Sequence, residues 1–280
     1  MSFSVVIPAR FGSTRLPGKP LADIHGKPMI VRVLEQARKS SAEEIVIAAD
    51  DEKIRAPVEA AGGQFMMTRT DHPSGSDRVM EVAEKRAWPD DRVVINVQGD
   101  EPLIPAAVID QVANMLQQQT AIGVATLCHR IDDRADIFDP NLVKVVLGQM
   151  PGEAPDPRRR QEDDLDPSQP RGCSSRALYF SRAPIPWKRG DFETPDVTKP
   201  EYSGIWWQHI GIYGYRVSSL RTFVSLKPSE LEMTESLEQL RLLENGIEIA
   251  VAPALETVSP GVDTPADLEK VRREFLQKRA

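Results

Sequence analysis

Ser4-Val5-Val6-Ile7-Pro8-Ala9-Arg10-Phe11-Gly12-Ser13-Thr14-Arg15-Leu16-Pro17-Gly18-Lys19-Pro20-Leu21 is the stretch on which the reading of this chain turns. Ser4 to Ile7 is a β-branched run that stops at Pro8, which predicts a short strand. The loop behind it holds two glycines (Gly12, Gly18), two hydroxyls (Ser13, Thr14) and three cations (Arg10, Arg15, Lys19). Glycines let the backbone approach a ligand, and the cations suit an anion. A nucleoside triphosphate carries about four negative charges at neutral pH, and one contact charge pair near a surface contributes roughly 1–4 kcal/mol. Arg10, Arg15 and Lys19 are therefore candidates to hold a triphosphate and to stabilise departing pyrophosphate. The loop is not a Walker A motif. One residue too many separates Gly12 from Gly18, and Pro20 stands where that motif needs Ser or Thr. Nor is it Gly-x-Gly-x-x-Gly, so a hydrolytic ATPase and a dinucleotide-dependent dehydrogenase are both disfavoured.

Downstream of the loop, strands and helices alternate. Met29, Ile30, Val33, Leu34 and Ala37 recur at helical spacing, with Lys and Arg expected on the opposite face. Ile45 to Ala49 reads as a strand ending at Asp50 and Asp51, and Glu52 to Ala61 as a helix that contains Pro57 and closes at Gly62-Gly63. Gln64 to Met67, a helix near Asp77 to Arg86, and a strand from Arg92 to Val97 continue the pattern. Such βαβ units predict an α/β fold with a mostly parallel central sheet flanked by helices. Ligands in such sheets bind beyond the carboxyl ends of the strands, which singles out the loops after Ile7 and Val97.

The later half is less regular. Gly123 to Leu127, Val143 to Leu147, Ala177 to Ser181 and Ile210 to Tyr215 read as strands, some with no helix between them, so the sheet is expected to be mixed. Met233 to Asn245, with Leu237, Leu240 and Leu243, predicts one helix stopped by Gly246, and Ala266 to Lys278 a charged terminal helix. All of this fits a single domain over residues 1–280. Gly148 to Arg176 stands apart, rich in Pro, Arg and Asp and nearly free of apolar residues, and is expected to form a mobile surface insertion.

Composition narrows the function. A net charge of −7 over 280 residues argues against a nucleic-acid partner. Cys128 and Cys173 are the only cysteines, and no spacing among them and the histidines suits zinc. No apolar run is long enough to span a bilayer, and the stretch Met1 to Arg10 is too short for a signal peptide, which predicts a cytoplasmic protein without a membrane partner.

Two acidic positions could hold a metal beside phosphates. Asp100, in Gln98-Gly99-Asp100-Glu101-Pro102, follows a predicted strand and is the first choice, with Glu101 read as a surface acid. Asp263, in Gly261-Val262-Asp263-Thr264-Pro265, admits two readings: a second metal carboxylate, or a segment in which Asp263 or Thr264 merely caps the terminal helix, with Pro265 in its first turn.

With these residues in view, the chain resembles the CMP-Kdo synthetases (3-deoxy-manno-octulosonate cytidylyltransferases). The resemblance rests on the opening loop, Asp71 to Arg78, Asn96 to Pro102, Ala177 to Arg182, His209 to Tyr215, Leu237 to Arg241 and Gly261 to Pro265. It implies a Rossmann-like nucleotidyltransferase fold, a homodimer, CTP and Kdo as substrates, CMP-Kdo and pyrophosphate as products, Mg2+ as cofactor, and a place in lipopolysaccharide biosynthesis. By motif match, Arg10 and Lys19 would grip the CTP phosphates, with Ala9, Ser13 and Arg15 nearby. Ser74, Arg78 and Gln98 would face the nucleotide or sugar, and Asp100 and Asp263 would hold the metal. Arg182, His209, Tyr213, Glu238 and Gln239 would line the sugar pocket, where Arg182 or a protonated His209 could pair with a carboxylate. Arg10, Lys19, Asp100 and Asp263 are the catalytic candidates. The insertion departs from the short turn expected in this family, and Lys188 to Trp207 carries no family motif. Two rivals are an enzyme for another acidic sugar (8-amino-Kdo or sialic acid) and a catalytically silent nucleotide-binding regulator.

Overall fold

The computed structural model describes residues 2–13, 15–150, 175–192 and 205–277. The first strand, β1 (Phe3–Ala9), lies between β2 (Glu44–Ala49) and β4 (Val93–Asn96), with β3 (Gln64–Met67) outside β2, and all these pairings are parallel. Alternate side chains of β1 enter two cores. Phe3, Val5, Ile7 and Ala9 pack toward α1 (Met29–Ala37) and α4 (Ala106–Gln118), whereas Val6 packs toward α3 (Gly75–Lys85). This period-two division is what a strand covered on both faces requires. β1 runs through Pro8 instead of ending there. β4 has already stopped beside Val6, so at Pro8 only β2 remains as a neighbour and a missing N–H is tolerated.

The second half of the sheet is built differently. β8 (Trp207–Arg216) lies antiparallel between β4 and β5 (Val124–Arg130), and β5 pairs in parallel with β9 (Ala250–Pro253). β7 (Ser175–Ser181) joins β9 to β6 (Lys144–Gly148), and β6 returns to the start of β8. The order is therefore β3-β2-β1-β4-β8-β5-β9-β7-β6, with β6–β8 closing a ring of five strands. The sheet is mixed, as expected, but not mostly parallel: β3, β2, β1 and β4 are parallel, and beyond β4 every pairing except β5–β9 is antiparallel. Regular strand–helix alternation, which builds parallel pairs, is confined to the first half of the chain.

Two helical expectations need correction. Arg32 of α1 is buried rather than on the polar face, because its guanidinium donates to the carbonyls of Ile24 and His25. The helix expected over Met233 to Asn245 is two short ones, α7 (Glu230–Glu235) and α8 (Leu240–Glu244). A capping box at Ser229 and Glu232 starts α7, and Ser236, left-handed at φ 55°, ends it. The break turns Glu238 inward to accept a hydrogen bond from Ser76 Oγ at 2.8 Å. That tertiary contact overrides the leucine spacing. Elsewhere, Glu52 to Ala61 divides into a 3₁₀ turn and α2 (Arg55–Ala60), and α4, α6 (Val217–Ser225), β9 and the short α5 (Arg134–Phe138) join the expected elements. The terminal helix α9 (Pro265–Gln277) is present. The core of the predicted insertion, residues 151–174, lies outside the described residues.

Candidate active site

β1 and β4 end beside one another and open a cleft of about 480 Å³ at their carboxyl ends. Gly99 allows this close approach, since a Cβ there would sit 2.6 Å from the Pro8 carbonyl oxygen. The cleft is lined by the loop after β1 (Ala9, Arg10, Gly12, Ser13, Arg15, Lys19), by the start of α3 (Ser74, Gly75, Arg78), and by Gln98, Asp100 and Asp263. The fold thus brings every sequence-predicted phosphate, nucleotide and metal residue to one place. α3 aims its N-terminus at the cleft, and Ser74 caps it by accepting from the Asp77 N–H.

The cations are held in different ways. Gly18, left-handed at φ 67°, turns the chain so that Lys19 begins a 3₁₀ turn, and its ammonium reaches Asp100 at 2.5 Å and Asp263 at 3.0 Å. Burial alone would lower the Lys19 pKa, but Asp100 and Asp263 outweigh it and hold it above its ordinary value. Arg15 is mostly exposed and pairs with the other oxygen of Asp263 at 3.0 Å. Arg10 is exposed too, with one terminal nitrogen donating to the His72 carbonyl at 2.6 Å. Arg78 is almost wholly buried and donates to Asp50 at 3.2 Å and to Thr68. Burial lowers its pKa against the opposing pull of Asp50. Ser13 stabilises its own loop by accepting from the Leu16 N–H.

The structure answers the question left open at Asp263. Thr264 is the residue that caps α9: its hydroxyl accepts from the Asp267 N–H, and the Asp267 carboxylate accepts from the Thr264 hydroxyl and from the Asp263 and Thr264 N–H groups. Asp263 is thereby free to face Lys19. The Val262 N–H donates to the Asp100 carbonyl at 2.8 Å, so backbone contacts hold the two acids together. Two hard carboxylates converging on one point, next to a place for phosphates, are a donor set that suits magnesium, which takes its remaining oxygens from phosphate and water. Glu101 is not a surface acid. It is buried, and burial, then the nearby Asp100 charge, pushes its pKa up to about 8.

The sugar-side residues divide. Asn96 and Tyr213 are cross-strand partners on β4 and β8, and Glu238 meets Ser76 at the start of α3. Asn96 Oδ1, Glu101 Oε2, the Tyr213 hydroxyl, Glu238 Oε2 and Gln239 Nε2 are all buried without a hydrogen-bond partner. Buried polar atoms are normally paired, so five such atoms close together, behind the residues that line the cleft, are unusual. Burial raises the Glu238 pKa, opposed by hydrogen bonds from Ser76 and Ser74. His209 departs from expectation. Its ring packs on Phe180 and Tyr213, its Nε2 lies 3.1 Å from the Thr126 hydroxyl, and burial lowers its pKa to about 3. It is neutral and does not supply the expected positive charge. Arg182 donates through Nε and Nη1 to the carbonyls of Glu235 and Pro140, which ties the end of β7 to α7. Lys188 pairs with Asp191.

Sequence reasoning missed Asp50 as a functional residue. Its two oxygens accept from the Phe11 N–H, at 2.9 Å, and from Arg78, so it links the phosphate loop to α3. Its place at the carboxyl end of β2 was the available signal.

Comparisons with known proteins identify the family. A model of the cytidylyltransferase family matches residues 4–249. The solved structure of a CMP:2-keto-3-deoxy-manno-octonic acid synthetase complexed with CTP is 41% identical, with a TM-score of 0.79, covering 99% of this chain and 100% of that one. A cytidylyltransferase from Leptospira borgpetersenii serovar Hardjo-bovis (strain JB197) is 16% identical, with a TM-score of 0.55 over 99% of this chain and 96% of its own, and shares the fold. Among the described residues, no helix is long and apolar enough to cross a membrane. The chain belongs to the cytidylyltransferase family and is a nucleotidyltransferase closely related to CMP-Kdo synthetase.

Proposed function

We propose that the enzyme transfers the cytidylyl group of CTP to the anomeric hydroxyl of Kdo, giving CMP-Kdo and pyrophosphate for lipopolysaccharide assembly. The observation that carries the reading is the convergence of Lys19, Asp100 and Asp263 in the cleft beneath the cationic loop. The 41% identity to a CMP-Kdo synthetase complexed with CTP supports the choice of substrates. In the reaction, the sugar hydroxyl oxygen bonds to the α-phosphorus, the bond from that phosphorus to the bridging oxygen breaks, and pyrophosphate leaves. The hydroxyl proton passes to solvent or phosphate. Arg10, Arg15 and Lys19 bind the triphosphate and take up the charge that grows on the leaving group. Ser13 and the N-terminus of α3, with Ser74, orient the nucleotide, while Ala9, Gln98 and Arg78 form the wall behind it. Asp100 and Asp263 would hold Mg2+, whose chemistry there is to polarise phosphate and hydroxyl oxygens.

On the acceptor side, Tyr213, Glu238, Gln239 and Gln98 meet the sugar hydroxyls, and His209 contributes as a neutral ring. Arg182 is then the remaining predicted cation for the sugar carboxylate. The enzyme acts as a cytoplasmic homodimer, a state that light scattering of the purified protein would check. Pyrophosphate release from CTP and Mg2+ should be measured with Kdo, 8-amino-Kdo and sialic acid in turn. Release with Kdo alone is expected, and release only with another sugar would overturn the acceptor assignment. CTP binding without release for any of them would make the protein a silent regulator.

A further inference from the structure

Lys19 presents a problem of occupancy. Its ammonium sits at the point on which Asp100 and Asp263 converge, at 2.5 and 3.0 Å, and its side chain is only 15% exposed. The acids cannot readily separate. Asp263 is fixed by the Thr264–Asp267 cap next door, and the Val262 N–H is bonded to the Asp100 carbonyl. Without a cation between them, two carboxylates held this closely repel each other. Arg15 does not fill that place: it is 65% exposed on its side chain and meets only the outer oxygen of Asp263.

We infer that Lys19 has a second role besides binding phosphate: in the nucleotide-free protein its ammonium stands in for the divalent cation. This inference rests on the assignment of Asp100 and Asp263 as metal ligands. The lysine neutralises the pair and blocks divalent cations from the empty cleft. A triphosphate arriving over the loop gives the ammonium a new anionic partner and draws it off the carboxylates, which opens the metal position as the phosphate oxygens that complete it arrive. The metal position is therefore created by the nucleotide, and the free enzyme should have little affinity for the ion alone. The two carboxylates are thus never left without a cation, the ammonium's single charge giving way to the ion's two as the triphosphate brings its own negative charge.

The test is Mn2+ binding to the nucleotide-free protein, read from the loss of the free-ion electron paramagnetic resonance signal. Wild type, Asp100→Asn, Lys19→Met, Lys19→Gln, Arg15→Met and Lys19→Met/Asp100→Asn would be compared, with circular dichroism confirming that each is folded. Lys19→Met and Lys19→Gln should bind Mn2+ about tenfold or more tightly than wild type, and the Asp100→Asn double variant should lose that gain. Arg15→Met removes the same unit charge from a solvent-screened position, and its gain should stay below about threefold. Equal gains in Lys19→Met and Arg15→Met would reduce the effect to general charge and overturn the inference. So would a gain that survives Asp100→Asn. Wild type that already binds as tightly as Lys19→Met, with Asp100→Asn weakening both, would also refute the stand-in role but keep the metal assignment. Weak binding everywhere, untouched by Asp100→Asn, would refute both. Should the Lys19 variants fail to fold, the wild type still decides: tight, Asp100-dependent Mn2+ binding to the nucleotide-free protein is the refuting result.

Discussion

Acidification should expose the neutral state of His209. In the folded chain burial pushes its pKa down to about 3, against an ordinary value of 6.5, the ring being enclosed by Phe180, Tyr213 and Thr126. Between those two values the unfolded chain binds a proton that the folded chain refuses. Stability therefore falls as the pH drops below about 6.5 and goes on falling toward pH 3. At pH 7.5 the contribution is negligible. At pH 5.0 the gap of about 1.5 units below the unfolded value corresponds to about 2 kcal/mol lost. Urea unfolding followed by circular dichroism at both pH values would measure it, and with a urea slope of about 2–3 kcal/mol/M the midpoint should drop by roughly 0.7–1 M more in wild type than in His209→Gln. The glutamine amide can reach the Thr126 hydroxyl but does not titrate, so the difference between the two proteins isolates the histidine from carboxylates that titrate in both. Equal losses of stability on acidification would refute the argument that His209 is held neutral.

Three further predictions concern how the site is held. Gly99→Ala places a Cβ 2.6 Å from the Pro8 carbonyl, so it should cost about 1–3 kcal/mol of stability and, by moving Asp100, most of the pyrophosphate release. Asp50→Ala leaves the Arg78 guanidinium buried without its carboxylate and should cost about 3–5 kcal/mol, while adding Arg78→Met should restore part of the loss in the same denaturation assay. Thr264→Ala removes the α9 cap at a cost of about 1 kcal/mol and loosens Asp263, so activity should fall further than thermal stability, whereas Thr264→Ser should retain both.

The first hundred residues were the most legible. There each strand is bounded by a turn signal and each helix shows one apolar stripe, so local pattern and tertiary position agree. The phosphate loop and Asp100 could be found because ligands gather at the carboxyl ends of parallel strands. Legibility ended where distant contacts decide local shape. Nothing near Ser236 announces that the helix breaks so that Glu238 can reach Ser76, a residue in another helix. Arg32 reads as a surface charge until the carbonyls of Ile24 and His25 are seen beneath it. His209 lies in a motif that matched the expected family, yet its charge state is set by Phe180 and Tyr213, and no spacing encodes a desolvation energy. At Asp263 the sequence offered a cap or a metal ligand; the structure gives the cap to Thr264 and turns the Asp263 carboxylate toward Lys19 and Arg15.

The position of β8 has a consequence for how the chain is made. β4 and β5 follow one another in sequence but never pair, because residues 207–216 lie between them and close both edges. During synthesis the nascent parallel strands must wait for more than a hundred residues with the β4 edge open, a template for pairing with another chain. Completion is then a late insertion with long-range contacts on both sides, the kind of step that slows folding. A chain released before residue 207 would carry the whole cationic loop and Asp100 and still be aggregation-prone, since β8, which covers the β4 edge, and β9 would both be missing.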